Sequence, residues 1–324
     1  MLGVKSALGS RRFSRVRIAA SGIVFVGLSA IGFLPLFGGP GYEHSLASGL
    51  IVPTAAAIAV AIESSSSEGV APLRCVVQGI SAGSWLAAVA LSTALLHGLR
   101  VGMCDFWGGT VFFLLTAGFG AALGGIWGAV AAEACRALQW GRGRCVLLAL
   151  AAPLAGIVVS LGRFYASPMI FAYDPFFGFF SGTLYDTIID VRTELWTYRG
   201  GSLATVVGVA LVASALGRSR RGTLAFVGAA PIVVESARAE RPEVAIAAPP
   251  RARRFFPALK LVLGAAALIT SALATGAGPA LGHWQTASSI AAALGGKVRG
   301  SRCDVVYPYS LLAQQASLLL RDCE

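Results

Sequence analysis

The sequence predicts an all-α integral membrane protein with about seven transmembrane helices, and three observations support this fold class. Of 324 residues, 56% are hydrophobic and only 13% are charged, whereas soluble domains carry about 25% charged residues. The mean hydropathy is +0.74. Lys and Arg side chains cluster at the ends of apolar runs, where they act as topology signals. The net charge of +11 therefore indicates membrane orientation and gives no support for a nucleic-acid partner.

The apolar runs are long enough to cross a hydrocarbon core of roughly 30 Å. A basic segment, 1–17, precedes the first run. This start also fits a secretory signal, but no clear small-residue cleavage site follows, which favours an uncleaved first span. Six spans occupy a membrane region at 18–216, and a seventh follows a linker. The predicted spans are 18–37, 45–62, 76–96, 106–132, 145–161, 202–216 and 256–275.

Basic residues set the expected orientation. One set of alternate connections, which includes the N-terminus, holds roughly twice as many Lys and Arg as the other. The N-terminus is therefore expected inside and the C-terminus outside the bacterial cytoplasmic membrane. The Arg/Ala/Pro-rich linker 217–255 is expected to be cytoplasmic and disordered. Its apolar run Leu224–Val234 is too short to span, but if it did cross the membrane, every later assignment would invert.

The tail after the seventh span, 276–324, has a different character. Its pattern predicts a small α/β-like extracytoplasmic unit that is too short for a robust core of its own. Cys303 and Cys323 both fall on this outer side, where a disulfide is permitted, and they form a candidate pair. The expected elements are a helix at 289–294, a turn at 295–300, a strand at 305–307 and a helix at 310–320.

An aromatic extracytoplasmic loop is predicted at 163–199, between the fifth and sixth spans. Its segment Phe171–Asp190 reads FAYDPFFGFFSGTLYDTIID. Asp174, Asp186 and Asp190 are candidates for a cation or substrate site at the membrane surface. The alternative, which we favour, is that the phenylalanines and tyrosines form an interfacial belt and that Asp174 starts a turn before a proline.

Ser81 is a weak candidate nucleophile, because Gly79–Gly83 reads GISAG and matches the G-x-S-x-G elbow of hydrolases. That motif needs a strand-turn-helix context, whereas here it lies inside the predicted third span. An intramembrane hydrolase would also need a histidine on another helix at similar depth, and none is expected there. The alternative is that Ser81, together with Gln78 and Ser84, forms a polar stripe that contacts neighbouring helices.

Gly120, Gly124 and Gly128 recur every fourth residue in the predicted fourth span. This spacing leaves one helix face without side chains, so it predicts a close helix–helix contact. The sequence also lacks HExxH, Walker A and GxGxxG motifs in a suitable context, and its cysteines show no zinc-binding spacing. We therefore expect no metal, no cofactor and no complete catalytic motif in these residues.

Three segments carry a resemblance: Phe171–Asp186, Leu99–Asp105 with Phe112–Leu115, and Arg302–Glu324. They are similar to bacterial polytopic membrane proteins of the myxobacterial type, in which the membrane region precedes a peptidase-MA-like gluzincin domain. The resemblance implies a membrane anchor for an extracytoplasmic peptidase. The HExxH helix of such a domain does not occur in this sequence, so no zinc ligand or catalytic residue carries over.

These observations favour a membrane anchor or scaffold whose partners are the lipid bilayer and an extracytoplasmic peptidase-like domain or another membrane protein. A transporter or channel component is the alternative. No charged residue falls in the middle third of a predicted span, and this weakens the transport interpretation. An intramembrane serine hydrolase using Ser81 is the third hypothesis.

Overall fold

Long apolar helices make up most of the protein. The computed structural model describes residues 15–65, 70–103, 105–166, 171–181, 191–218, 224–227, 232–233, 246–247 and 251–324. The helices in these ranges are α1 (Arg15–Ile31), α2 (Tyr42–Ser65), α3 (Pro72–Val101), α4 (Phe106–Phe113), α5 (Phe119–Ala137), α6 (Arg142–Ala166), α7 (Thr193–Ala215), α8 (Arg251–Gly276), α9 (Ala287–Leu294) and α10 (Ala313–Cys323).

Short antiparallel strand pairs connect or follow these helices. Each pair forms a separate two-stranded sheet, in the order β1–β2, β3–β4, β5–β6 and β7–β8. The strands are β1 (Phe171–Asp174), β2 (Gly178–Ser181), β3 (Leu216–Arg218), β4 (Leu224–Phe226), β5 (Ile232–Val233), β6 (Ile246–Ala247), β7 (Gly295–Arg299) and β8 (Asp304–Pro308).

Six segments of the described chain are long and apolar enough to cross a membrane, which is the architecture of a multi-pass membrane protein. They are Tyr42–Ser65, Pro72–Val101, Phe106–Ala137, Arg142–Ala166, Thr193–Ala215 and Phe256–Gly276. The third of them joins α4 and α5 through a π-helical turn, Leu114–Gly118. The helix α1 has 17 residues, or about 25 Å at 1.5 Å per residue, and it ends at Ile31 instead of the expected Phe37. A seventh span therefore stays a prediction.

The connections between the long helices gather at two ends of the bundle. We call one the hairpin end, because it holds β1–β2, the α1–α2 and α3–α4 connections and the turn after α8. There the α4 residue Gly109 packs against the carbonyl of Pro40. We call the other the linker end. At that end Arg136 of α5 donates to the carbonyl of Ser64 in α2.

Glycines let α5 pack closely against its neighbours at the centre of the bundle. Gly124 and Gly128 lie against the backbone carbonyls of Pro53 and Ala57 in α2. On another face of α5, the backbone carbonyl of Gly125 contacts Gly79 of α3. A Cβ atom at these positions would overlap main-chain atoms, so the helices are held at backbone contact distance.

An ionic cluster lies at the linker end. Glu133 of α5 accepts a hydrogen bond from Arg136, which lies one helical turn away. It accepts a second hydrogen bond, of 2.5 Å, from Arg218 in β3. A second pair joins Arg17 of α1 to Glu63 of α2 at 2.8 Å. These partly buried pairs tie four segments of the chain together at the end where the sequence predicts the cytoplasm.

The region of the predicted linker contains short strands where it is described. The start of the apolar run Leu224–Val234 forms β4, which pairs with β3 directly after α7. The helix α8 begins at Arg251, within the predicted linker. Most of the remaining linker, from 228 to 250, lies outside the described residues apart from the pair β5–β6.

The tail folds around the β7–β8 hairpin, whose strands pair Gly295 with Pro308 and Arg299 with Asp304. Thr286 caps α9, since its hydroxyl accepts from the backbone N–H of Ser289. The expected turn at 295–300 is largely a strand, and the chain reverses after it. The structure joins the sulfurs of Cys303 and Cys323, with a Cα–Cα distance of 6.3 Å.

Candidate functional site

The aromatic segment forms a tight β-hairpin at 171–181. Its register pairs Asp174 with Gly178 across a turn of Pro175, Phe176 and Phe177. Gly178 has φ +92°, and a Cβ atom there would overlap Thr116 of the π-helical turn. Only glycine tolerates both conditions without strain. A glycine in the left-handed region after a three-residue turn is a common way to close a hairpin.

The hairpin tip lies inside the helical bundle and not on its surface, which corrects the expectation of a surface loop. The backbone of Phe177 packs on Gly49 of α2, and the backbone carbonyl of Phe176 packs on Gly120 of α5. Gly120 thus meets the hairpin, whereas the other two glycines of its series meet α2. The loop is also shorter than expected, since α6 continues to Ala166 and α7 begins at Thr193. Non-helical backbone at membrane depth is tolerated only where protein buries it, and this bundle supplies that cover.

Asp174 is fully buried, so it is not part of an exposed surface site. One carboxylate oxygen accepts hydrogen bonds from the backbone N–H groups of Phe176 and Phe177, at 2.7 and 3.0 Å. The other accepts from the hydroxyl of Ser160 in α6 at 3.1 Å. The first pair of bonds is the Asx arrangement that shapes a turn, so the predicted turn at this residue is present. The third bond attaches the turn to α6.

Arg199 of α7 is the second buried charge at the hairpin, with 3% of its surface exposed. Its guanidinium donates to the carbonyl of Leu115, to that of Thr116 at 3.1 Å and to that of Pro175 at 2.9 Å. The first two carbonyls belong to the π-helical turn Leu114–Gly118. Arg199 therefore clamps the hairpin turn to this irregular turn.

The remaining face of the hairpin is aromatic and contacts the start of the tail. The ring of Tyr173 lies 5.2 Å from Tyr198 and 5.9 Å from His283, which follows α8. His283 also contacts the ring of Tyr198 at 5.2 Å. Next to His283, the ring of Trp284 lies beneath the guanidinium of Arg163. The Cζ atom of Arg163 is 4.5 Å from the centre of that ring. Four segments of the hairpin end thus meet at one aromatic cluster.

A groove of about 420 Å³ runs between α5, α7 and α8 below this cluster. Its lining is mostly apolar, with a few hydroxyl groups. Thr205 and Ser271 bridge α7 and α8 through a 2.7 Å hydrogen bond. The lining residues are Leu123, Ile126, Trp127, Val130, Pro175, Phe176, Tyr198, Gly201, Ser202, Thr205, Val209, Ser271, Ala274, Thr275 and His283.

Ser81 has no catalytic neighbour in the described structure. Its side chain is exposed on the surface of α3. His97, further along the same helix, is roughly 24 Å away along the axis. His44 is buried in the first turn of α2 and contacts Thr93 near the same end as His97. His283 also lies at the hairpin end. The geometry therefore does not assemble a nucleophile with a base.

The other candidate residues are not brought together. Asp186 and Asp190 lie outside the described residues, so the structure does not test a site that includes them. Within the described ranges, no group of three or more His, Cys, Asp or Glu side chains could hold a metal ion.

Two residues of the site were missed from sequence. Arg199 falls within the predicted loop 163–199, because the sixth span is predicted to begin at Ser202, and His283 falls within the predicted tail 276–324, where no pattern marks it.

Comparison of the chain with protein-family models, with curated proteins and with solved structures gave no match.

Proposed function

We propose that this chain is a multi-pass protein of the bacterial cytoplasmic membrane that serves as an anchor and scaffold. In this role it holds its C-terminal tail, and the extracytoplasmic partner bound there, in a fixed position beside the aromatic hairpin. The observation that carries the proposal is the aromatic cluster, because it attaches the first residues of the tail to the hairpin and to α7.

The attachment involves several kinds of contact. Trp284 packs against Gly278 and stacks on Arg163 of α6. The ring of His283 contacts the hydroxyl of Thr197 in α7 at 3.0 Å. Gly282 packs against the side chain of Glu194. Such a network orders the chain directly after α8, so the tail leaves the membrane region in a defined direction.

The tail itself offers a small folded surface beyond this attachment. Its strands and helices pack mainly on one another, and the bond between Cys303 and Cys323 closes the hairpin onto α10. The resemblance to membrane regions that precede peptidase-like domains supports a peptidase-like domain as the partner. The proposal gives this chain no catalytic role of its own.

The buried charges at the hairpin support a structural role over transport. Three donors of Arg199 and both carboxylate oxygens of Asp174 are engaged by protein groups. A coupling site for transport would present such groups to a permeating ion. Here they fix the turn of the hairpin.

The proposal is tested by measuring the distance between the tail and the membrane region. Nitroxide-bearing amino acids replace Tyr309 in the tail and Trp107 in α4, which are both strongly exposed. We expect a single narrow distance distribution by pulsed electron paramagnetic resonance in lipid nanodiscs. The substitution Trp284→Ala should broaden it, whereas Trp140→Ala, which removes an indole at the linker end, should not.

A broad distribution in the otherwise unaltered protein would show that the tail is not held, and would refute the scaffold role. The orientation needs a separate measurement. A reporter enzyme fused after Glu324 should be active only outside the cytoplasm, and activity confined to the cytoplasm would refute the proposed topology.

A further inference from the structure

The groove between α5, α7 and α8 has the dimensions of a lipid-chain site. Its long axis follows α7 from Tyr198 to Val209, a rise of about 16 Å. Pockets for small molecules commonly have volumes of about 300–1,000 Å³, and this one lies within that range. The helix α8 that forms one wall exposes most of its surface. The apolar lining of the groove therefore suits an apolar chain that enters from the bilayer.

His283 gives the hairpin end of this groove a polar atom without a partner. Only 1% of its surface is exposed, and Nδ1 makes no hydrogen bond with any described residue. The hydroxyl of Thr197 donates to the carbonyl of Glu194, so towards Nε2 of His283 its oxygen acts as the acceptor. This assigns the proton to Nε2 and leaves Nδ1 as an acceptor.

Burial lowers the pKa of His283 below its ordinary value. This favours the neutral imidazole, the form in which Nδ1 can accept a hydrogen bond. A buried acceptor without a donor is costly. A molecule that fits this end of the groove must therefore present an N–H or O–H group to Nδ1.

The charged side chains near His283 further limit which ligand groups can bind at this end of the groove. Glu194 packs against the preceding residue, Gly282, and the guanidinium of Arg163 stacks on the following residue, Trp284. An acidic and a basic group thus contact the two residues on either side of His283 in the chain. This arrangement complements a zwitterionic headgroup that carries an ammonium with N–H donors and a phosphate.

We propose that the groove binds a phosphatidylethanolamine-type phospholipid. One acyl chain lies along α7 and α8, the primary ammonium donates to Nδ1 of His283 near Glu194, and the phosphate lies towards Arg163. This inference goes beyond the anchor role although the two share residues, because a tail can be held rigidly whether or not a lipid occupies the groove.

The headgroup is tested on the unaltered full chain by native mass spectrometry with a methylation series of one lipid. The series comprises phosphatidylethanolamine, its N,N-dimethyl form and phosphatidylcholine, which share a charge but differ in N–H donors. We expect the first two lipids to bind about tenfold more tightly than phosphatidylcholine, the effect of one charge-assisted hydrogen bond. Equal affinity for all three would overturn the proposal, as would tighter binding of phosphatidylglycerol.

Variants then test the location. His283→Phe keeps an aromatic ring but lacks the acceptor, and it should reduce the affinity ratio of phosphatidylethanolamine to phosphatidylcholine to about one. His97→Phe is the matched control, because His97 is also buried with an unpartnered Nδ1 but does not line the groove. A loss of the ratio in both variants would overturn the assignment to His283.

A second pair of variants tests occupancy of the groove itself. Ala274 lines it, and Ala274→Trp should fill it and abolish binding. The neighbouring Leu273 is strongly exposed and does not line the groove, so Leu273→Trp should leave binding unchanged. Retained binding in Ala274→Trp would place the lipid elsewhere and refute the site. Thermal unfolding of each variant checks that it is folded.

Discussion

Two β-hairpins of similar size lie in very different surroundings in this protein. In β1–β2, Asp174 is fully buried and accepts hydrogen bonds from the turn backbone and from α6. In β7–β8, the side chain of Asp304 is 46% exposed and pairs with Lys297 at 2.7 Å. An isolated two-stranded hairpin is marginally stable in water. The comparison shows that the first hairpin depends on the bundle for its burial and for the contacts of Asp174 and Pro175 with α6 and α7, whereas the second has solvent as a partner.

This difference predicts that substitutions at the buried hairpin cost far more than substitutions at the exposed one. It also predicts which partners matter. For β1–β2 the supporting groups come from the helices α5, α6 and α7, whereas for β7–β8 they come from the neighbouring strand.

The largest effect is expected for Arg199→Met. The variant loses the donors to the carbonyls of Leu115, Thr116 and Pro175, and it removes a positive charge that acts on the buried Asp174. Removing one member of such a buried network costs about 3–5 kcal/mol. The free energy of unfolding in mixed detergent micelles should fall by this amount. Arg192→Met, at an exposed position just before α7, is the control, and an equal loss in both variants would contradict the clamp.

A loss of similar size is expected for Asp174→Ala. It leaves the N–H groups of Phe176 and Phe177 and the hydroxyl of Ser160 without their acceptor, at about 1–3 kcal/mol for each group that stays unsatisfied. Asp174→Asn keeps one oxygen acceptor and should retain most of the stability in the same unfolding measurement. If the two variants unfold alike, the turn does not depend on these bonds.

An intermediate effect is expected for Gly124→Ala, because the added methyl group overlaps the backbone of Pro53. Overpacking of this kind costs about 1–3 kcal/mol. Gly143 in α6 has open space around its Cβ position, so Gly143→Ala should be neutral or stabilising by up to about 1 kcal/mol. Thermal unfolding of both variants compares them directly, and similar behaviour would argue against close packing of α2 on α5.

The smallest effect is expected for Asp304→Asn in the exposed hairpin. The hydrogen bond from Lys297 lowers the pKa of Asp304 below its ordinary value of 3.8. A lowered carboxyl pKa adds stability above that ordinary value, and the contribution is lost as the pH falls through the lowered pKa. Because the group is exposed, the contribution is small. Amide hydrogen exchange in the tail should change little at pH 7, and global loss of protection would contradict this.

The long helices could be predicted from the sequence because each is an uninterrupted apolar run of membrane length. Their ends were less predictable. Tyr198 and Arg199 fall within the predicted loop 163–199, yet both lie inside α7, which begins at Thr193. Glu194 in its first turn is a helix-start signal that could have extended the span.

The hairpin itself also had a local signal. The strand-like runs on either side of Pro175–Phe177, followed by Gly178, fit a three-residue hairpin turn. Its burial could not be predicted in this way. Burial depends on Gly49, Gly120 and Gly156 leaving space on three different helices, and no short-range pattern reports that these helices converge.

The burial of the aromatic hairpin inside the bundle can be tested directly by comparing two positions. Phe177 at the hairpin tip is 2% exposed, and Tyr309 in the tail is 83% exposed. We predict that Phe177→Cys in native membranes resists a water-soluble maleimide until the protein is denatured, while Tyr309→Cys reacts at once, both measured above the labelling of the unaltered chain. Equal labelling rates for the two cysteines would contradict the inserted hairpin.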